Sequence, residues 1–299
     1  MKKELVIILL VCTSLLASCS KNPFSNGEEK EFERQLDKPF TIVDIGDNYN
    51  VTLLHSDAIH PGGLILIKTG ENLVDGVRTE VEGDTLVIRN DNNYSFLRPY
   101  DYTKEITVYY DSLFWIRLNS NAECVQTDTL RGYMDLTHFT QSDTIGFDSL
   151  VPNIFIEIKG GSGDFNVLTN CFRTSVRYLH GTSNIHVKGK SVQALISADY
   201  DSHGIIDCAD LEANYFWLSY DGTNVVTGRA INVFSATNDN IGLVHYIRYY
   251  KTMKKIIWGH FENHHWIPND TIDTVYYCPI NVYKKGTYKE NITSIHDTP

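Results

Sequence analysis

A chain of 299 residues is long enough to bury a core without covalent staples, and its 37 acidic against 26 basic side chains leave a formal charge of −11. That acidic balance disfavours nucleic acid and anionic headgroups as partners. Among the six cysteines none are spaced as a metal knuckle, and no cofactor is expected. Cys124, Cys171, Cys208 and Cys278 read as buried free thiols, with one disulfide the alternative open to an exported chain.

Residues 1–18 carry Lys2 and Lys3, an apolar run from Leu5 to Leu16 and then small residues, which is the layout of a secretory leader and too short for a membrane span. The ending Leu16-Ala17-Ser18-Cys19 resembles the lipobox of bacterial lipoproteins, which implies that Cys19 is lipidated and becomes the first mature residue. Several acyl chains at about 0.8 kcal/mol per buried methylene would hold the domain on a membrane without a spanning helix. The resulting expectation is a lipid-anchored envelope protein at the outer membrane, facing either the periplasm or the outside. Residues 19–38 are polar, with a charge cluster at Glu28-Glu29-Lys30-Glu31, and read as a flexible tether.

From Phe40 the chain turns to short runs rich in Val, Ile, Tyr and Thr (FTIVDI, NVTLLH, GLILIK, DTLVIRN, EITVYY), each closed by Gly, Asp or Asn. Residues 39–112 are therefore an N-terminal β region. One helical turn is expected within Glu71–Val77, ahead of a strand at 78–82.

Residues 113–244 carry a repeat. Steps of twenty from Val125 reach Ile145, Phe165, Ile185, Ile205 and Val225. A second apolar column holds Ile116, Leu136, Ile156, Val176, Ile196 and Phe216, and a polar one holds Asn121, Gln141, Gly161, Gly181, Asp201 and Asp221. The glycine-rich KGGSGDFNV at 159–167 is one member of this series and lacks the Lys-Ser/Thr and the helix of a phosphate loop, so its glycines mark a turn between strands. A fixed period of this size predicts a solenoid, and twenty residues per coil suit a β-helix with three short sides. A β-sandwich with regular strand spacing is the alternative. After Val225 the register slips toward an offset near sixteen, so the last coil is expected to be shorter. Residues 245–299 are basic and aromatic, and read as an irregular cap that shields the solenoid end.

The segments at 71–90, IKGGSGDFNV and 204–225 resemble the auto-transporter adhesin head domain family, common in exported lipoproteins of Bacteroidetes. Gly161-Ser162-Gly163-Asp164 and Asp210-Leu211-Glu212-Ala213 match the family's recurring turn and inter-coil segment. The turns at Gly181, Asp201 and Asp221 keep the chemistry without the letters. The resemblance covers roughly residues 40–244 and implies a right-handed β-helical architecture with a role in adhesion; fold does not by itself establish function.

Several residue clusters admit both a chemical and a simpler reading. His260, Glu262, His264 and His265 have partial metal-ligand spacing but lack the glutamate placement of a zinc protease, so surface histidines are expected. Asp164, Asp199, Asp201, Asp207, Asp210 and Asp221 evoke polysaccharide-cleaving β-helices, yet aspartate is also a good turn former, and no Lys or Arg accompanies the stretch from Asp199 to Asp210. No Gly-x-Ser-x-Gly elbow occurs. Aromatic residues remain: Tyr215, Trp217 and Tyr220 are the expected binding residues, with Tyr215 and Trp217 pointing outward beside an inward Phe216. The function expected is non-catalytic adhesion, or glycan or protein binding. A structural envelope role and a polysaccharide-acting enzyme are the alternatives.

Overall fold

The computed structural model describes residues 25–92, 102–122, 124–131, 153–248, 250–262, 265–277 and 280–295, with 250–262 and 265–277 traced by their backbone. Every extended element among them is a strand, so the fold is all-β. In chain order the strands are β1 (Glu29–Gln35), β2 (Ile42–Asp47), β3 (Asn50–His55), β4 (Leu64–Gly70), β5 (Val77–Glu82), β6 (Thr85–Asn90), β7 (Glu105–Tyr110), β8 (Trp115–Ser120), β9 (Cys124–Arg131) and β10 (Asn153–Gly161). They continue as β11 (Asp164–Gly181), β12 (Asn184–Ser202), β13 (Ile206–Tyr220), β14 (Val225–Asn238), β15 (Leu243–Arg248), β16 (Tyr250–Glu262), β17 (His265–Tyr277), β18 (Asn281–Lys285) and β19 (Ile292–Ile295). A 3-10 turn at Val74–Gly76 stands where one helical turn was expected. No helix among the described residues is long and apolar enough to cross a membrane.

The repeat appears as parallel pairing in steps of twenty: Ile156 lies beside Val176, Phe165 beside Ile185, and Val176 beside Ile196. These side chains point inward and are buried, each contributing roughly 1.5–3 kcal/mol. The strands are longer than the short sides expected, because pairing continues with little interruption through β11 and β12. In β11 the alternation of buried and open positions breaks at Phe172 and Arg173, yet Cys171 and Arg173 still pair with Ser191 and Gln193.

The predicted columns are corrected in several places. Val125 pairs directly with Phe165, and Ile116 with Ile156, so no coil lies between them. Leu136, Gln141 and Ile145, which fill that step in the sequence, lie outside the described residues. Ile205 is 39% exposed while Ile206 is fully buried, and Ile185 pairs with Ile206. One extra residue before β13 exchanges the two faces, because side chains alternate with a period of two. Val226 takes the inward place expected of Val225 for the same reason. By Phe216 the slip has reached two residues. Phe216 therefore stays inward but pairs with Ala194, and Leu218 takes the place beside Ile196. The next step is eighteen, Phe216 to Phe234 and Val226 to Val244, rather than sixteen.

The N-terminal strands belong to the same ladder. Val43 in β2 pairs with Ile116, and Val51 in β3 pairs with Val125. Part of the expected tether is ordered: β1 runs antiparallel to β4, with Phe32 packed against the core and Arg34 donating to the carbonyls of Val74 and Val77 and to the Thr79 hydroxyl. The alternation of EKEFERQ puts Phe32 and Arg34 on one face, which a charge-based reading overlooks. The C-terminal part is likewise more regular than an irregular cap. The antiparallel pair β16–β17 is an insertion, after which β18 and β19 return to pair in parallel with β14 and β15.

The glycine turns have a steric cause. Gly161 has φ +102°, and a Cβ there would stand 2.0 Å from the Ser120 carbonyl oxygen of the neighbouring strand. Gly181 repeats this one strand on, against the Gly161 carbonyl at 2.7 Å. Only glycine combines that backbone with that approach. Cys208 is a buried free thiol, and Cys171 is buried with its thiol donating to the Leu130 carbonyl at 3.2 Å; Cys278 lies outside the described residues.

Candidate functional site

Where inward residues alternate with outward ones, the outward flanks of the Ile116–Ile156–Val176–Ile196 column form two columns of their own. The first runs Trp115, Phe155, Ser175, Leu195, Trp217, Ser235. The second runs Arg117, Glu157, Arg177, Ser197, Ser219, Thr237. Apart from Arg117, these residues line an open groove of about 680 Å³ that crosses the strands from β8 to β14. Five strand spacings of about 4.8 Å give it a length of roughly 24 Å.

Aromatic rings stand at both ends. Phe114 meets Phe155 edge to face at 5.3 Å, and the Arg117 guanidinium lies 4.0 Å over the Trp115 ring. At the other end Trp217 stacks on Tyr215, with ring centroids 5.6 Å apart and planes 9° from parallel. Between them the floor narrows to Ser175 and Leu195. Ser175 is 8% exposed and its hydroxyl has no hydrogen-bond partner, and the Trp115 indole N–H is buried without one as well. Glu157, with its side chain 14% exposed, has Lys159 at 3.9 Å and sits between Arg117 and Arg177 in the second column.

Of the residues expected to bind, Tyr215 is 37% exposed and Trp217 half-buried at one end of the groove, flanking a fully buried Phe216. Tyr220 is corrected: it is 2% exposed, and its hydroxyl donates to the Asn224 carbonyl. It lies five residues from Tyr215 across an alternation of two, which puts the two on opposite faces. Cys19 lies outside the described residues. Tyr200 is 65% exposed but away from the groove, and Tyr246 is buried. His264 lies outside the described residues, and among those described no group of three or more His, Cys, Asp or Glu side chains is placed to hold a metal ion. Several of the weighed aspartates are engaged locally: Asp164 accepts from the Asn184 amide at 2.9 Å, and Asp207 from the Ala209 backbone N–H at 3.0 Å.

Trp115, Phe155, Leu195 and the serine column escaped the sequence reading. The signal was there in the neighbours of the inward column, since Phe155, Ser175 and Leu195 are also spaced by twenty.

Solved structures share this fold at low sequence identity. A protein from Bacteroides fragilis described as a putative adhesin superposes with a TM-score of 0.60 at 14% identity, over 92% of this chain and 100% of its own. A Parabacteroides distasonis protein described as a putative lipid binding protein gives 0.51 at 14% identity, covering 92% and 99%. A putative adhesin from Parabacteroides merdae gives 0.50 at 14%, covering 92% and 98%. A search of curated proteins finds no match. Residues 39–247 match the family described as "putative auto-transporter adhesin, head GIN domain", and the chain belongs to that family.

Proposed function

We propose that this is an exported, non-catalytic binding protein of the cell envelope, anchored at the outer membrane through lipid on Cys19, whose coils form a right-handed β-solenoid with an adhesive outer face. The observation that carries the reading is the groove, where two aromatic clusters end a trough open to solvent on an otherwise paired, rigid sheet. Rigid aromatic anchors beside a concave surface are the groups that dominate recognition energetics. The solenoid is supported by parallel pairing in steps of about twenty from β10 to β13, and the anchor by the leader ending in Leu16-Ala17-Ser18-Cys19. The family's description and the names of the two similar adhesins agree with an adhesive role.

The test is the purified full-length chain on an array of glycans and matrix proteins, with and without calcium, beside Trp217→Ala. Saturable binding that the variant loses supports an adhesive face. Silence under every condition moves the protein to a structural envelope role, and calcium-dependent shortening of a glycan makes it an enzyme.

A further inference from the structure

We propose that the groove takes a neutral, linear oligosaccharide lying across the strands, with Trp217 and Phe155 as platforms toward its two ends. The proposal rests on the reading of this face as a binding surface and narrows what binds there. Four features of the groove lead to it.

The first is periodicity. Successive strands present the same two columns every 4.8 Å or so, close to the advance of one sugar ring in an extended chain. A ligand built of repeated rings therefore advances about one ring per strand.

The second is hydroxyl chemistry. Ser197, Ser219 and Thr237 follow one another along the polar column, one per strand, and Ser175 and Ser235 stand in the other. A hydroxyl both donates and accepts, which suits sugar hydroxyls in either orientation.

The third is charge. Glu157 and Arg177, in register on β10 and β11, are the acidic and the basic side chain lining the groove, so its lining carries no net charge, within a chain whose formal charge is −11. An uncharged ligand fits that balance, whereas a polyanion is repelled by the surrounding field.

The fourth is the backbone. The strands beneath the groove are hydrogen-bonded to neighbours on both sides, so an extended peptide finds no free edge to extend.

The experiment uses the full chain reconstituted in phosphatidylcholine vesicles. It is titrated with cello-, chito-, xylo-, manno- and malto-oligosaccharides as dimers and hexamers, with polygalacturonate and with octanoate, following calorimetry and tryptophan fluorescence. The variants are Trp217→Ala, Leu195→Arg to obstruct the floor, and Tyr200→Ala outside the groove, each checked for wild-type circular dichroism. At least one neutral hexamer is expected to bind tenfold or more tightly than its dimer. Trp217→Ala and Leu195→Arg should each weaken it tenfold or more, and Tyr200→Ala should leave it unchanged. Equal affinity for dimer and hexamer, insensitivity to both groove variants, tighter binding of polygalacturonate or octanoate, or no hexamer binding at all would each overturn the proposal. Array binding that persists in Leu195→Arg would overturn the groove alone and leave the protein a binder through another surface.

Discussion

Tyr178 and Tyr220 occupy one inward column with Ala198 between them, and each donates its hydroxyl to the turn that follows its own strand. The acceptors are the carbonyls of Ser183 at 2.8 Å and Asn224 at 2.7 Å. Large, small and large side chains thus alternate across the three strands, and the two phenols close alternate turns. Ala198→Leu puts three extra heavy atoms between two fixed rings. The expected loss is about 1–3 kcal/mol, read as a lower urea midpoint at unchanged slope.

The same phenols make the fold alkali-sensitive. Burial raises both hydroxyls from 10.0 to about 12, because the phenolate would lose its water. The folded chain therefore holds these protons at pH values where the unfolded chain has released them. Their stabilising contribution is complete below pH 10 and is lost as pH rises toward 12. Tyr178→Phe should cost about 1 kcal/mol at pH 7 through the missing hydrogen bond. The same variant should shrink the fall in stability between pH 10 and pH 12, measured by urea unfolding at each pH.

Gly161 and Gly83 share a left-handed backbone, with φ +102° and +67°, but not a neighbourhood. A Cβ on Gly161 meets the Ser120 carbonyl oxygen at 2.0 Å, and one on Gly83 meets nothing within 4 Å. Gly83→Ala should cost about 1–2 kcal/mol for its backbone alone. Gly161→Ala adds separation of two paired strands and should cost on the order of 4 kcal/mol or prevent folding, compared by thermal unfolding of the two variants.

Arg34 joins β1 to the turn before β5 through the Val74 carbonyl at 2.6 Å, and to β5 itself through the Thr79 hydroxyl at 3.0 Å and the Val77 carbonyl. Arg34→Met keeps much of the stem and removes the donors, leaving those carbonyls poorly satisfied. The expected cost is about 1–3 kcal/mol. Amides of β1 and β4 should lose hydrogen-exchange protection before those of β11 to β13, because β1 lies at an edge of the ladder.

Much of the fold was legible. Apolar columns at a step of twenty announced stacked parallel strands, and Gly161 and Gly181 announced the turns, because buried side chains and left-handed backbones tolerate few residue types. Ile205 against Ile206 shows where legibility ended. Both are isoleucine, and which one faces inward depends on a single extra residue absorbed before β13. The groove was half legible. Tyr215 and Trp217 were found as aromatics flanking an inward residue, whereas Trp115 and Phe155 are forty residues apart in sequence and adjacent only through the β8–β10 pairing.

The amino-acid sequence alone determined the class of structure, the period and the identity of the turn-forming glycines, since these follow from local backbone preference and alternation. Tertiary structure alone decided that β10 lies on β8, that β1 belongs to the domain, and that two aromatic clusters share one groove. Each of these depends on which strands pair and in what register, and pairing is a long-range choice that no local run of residues encodes.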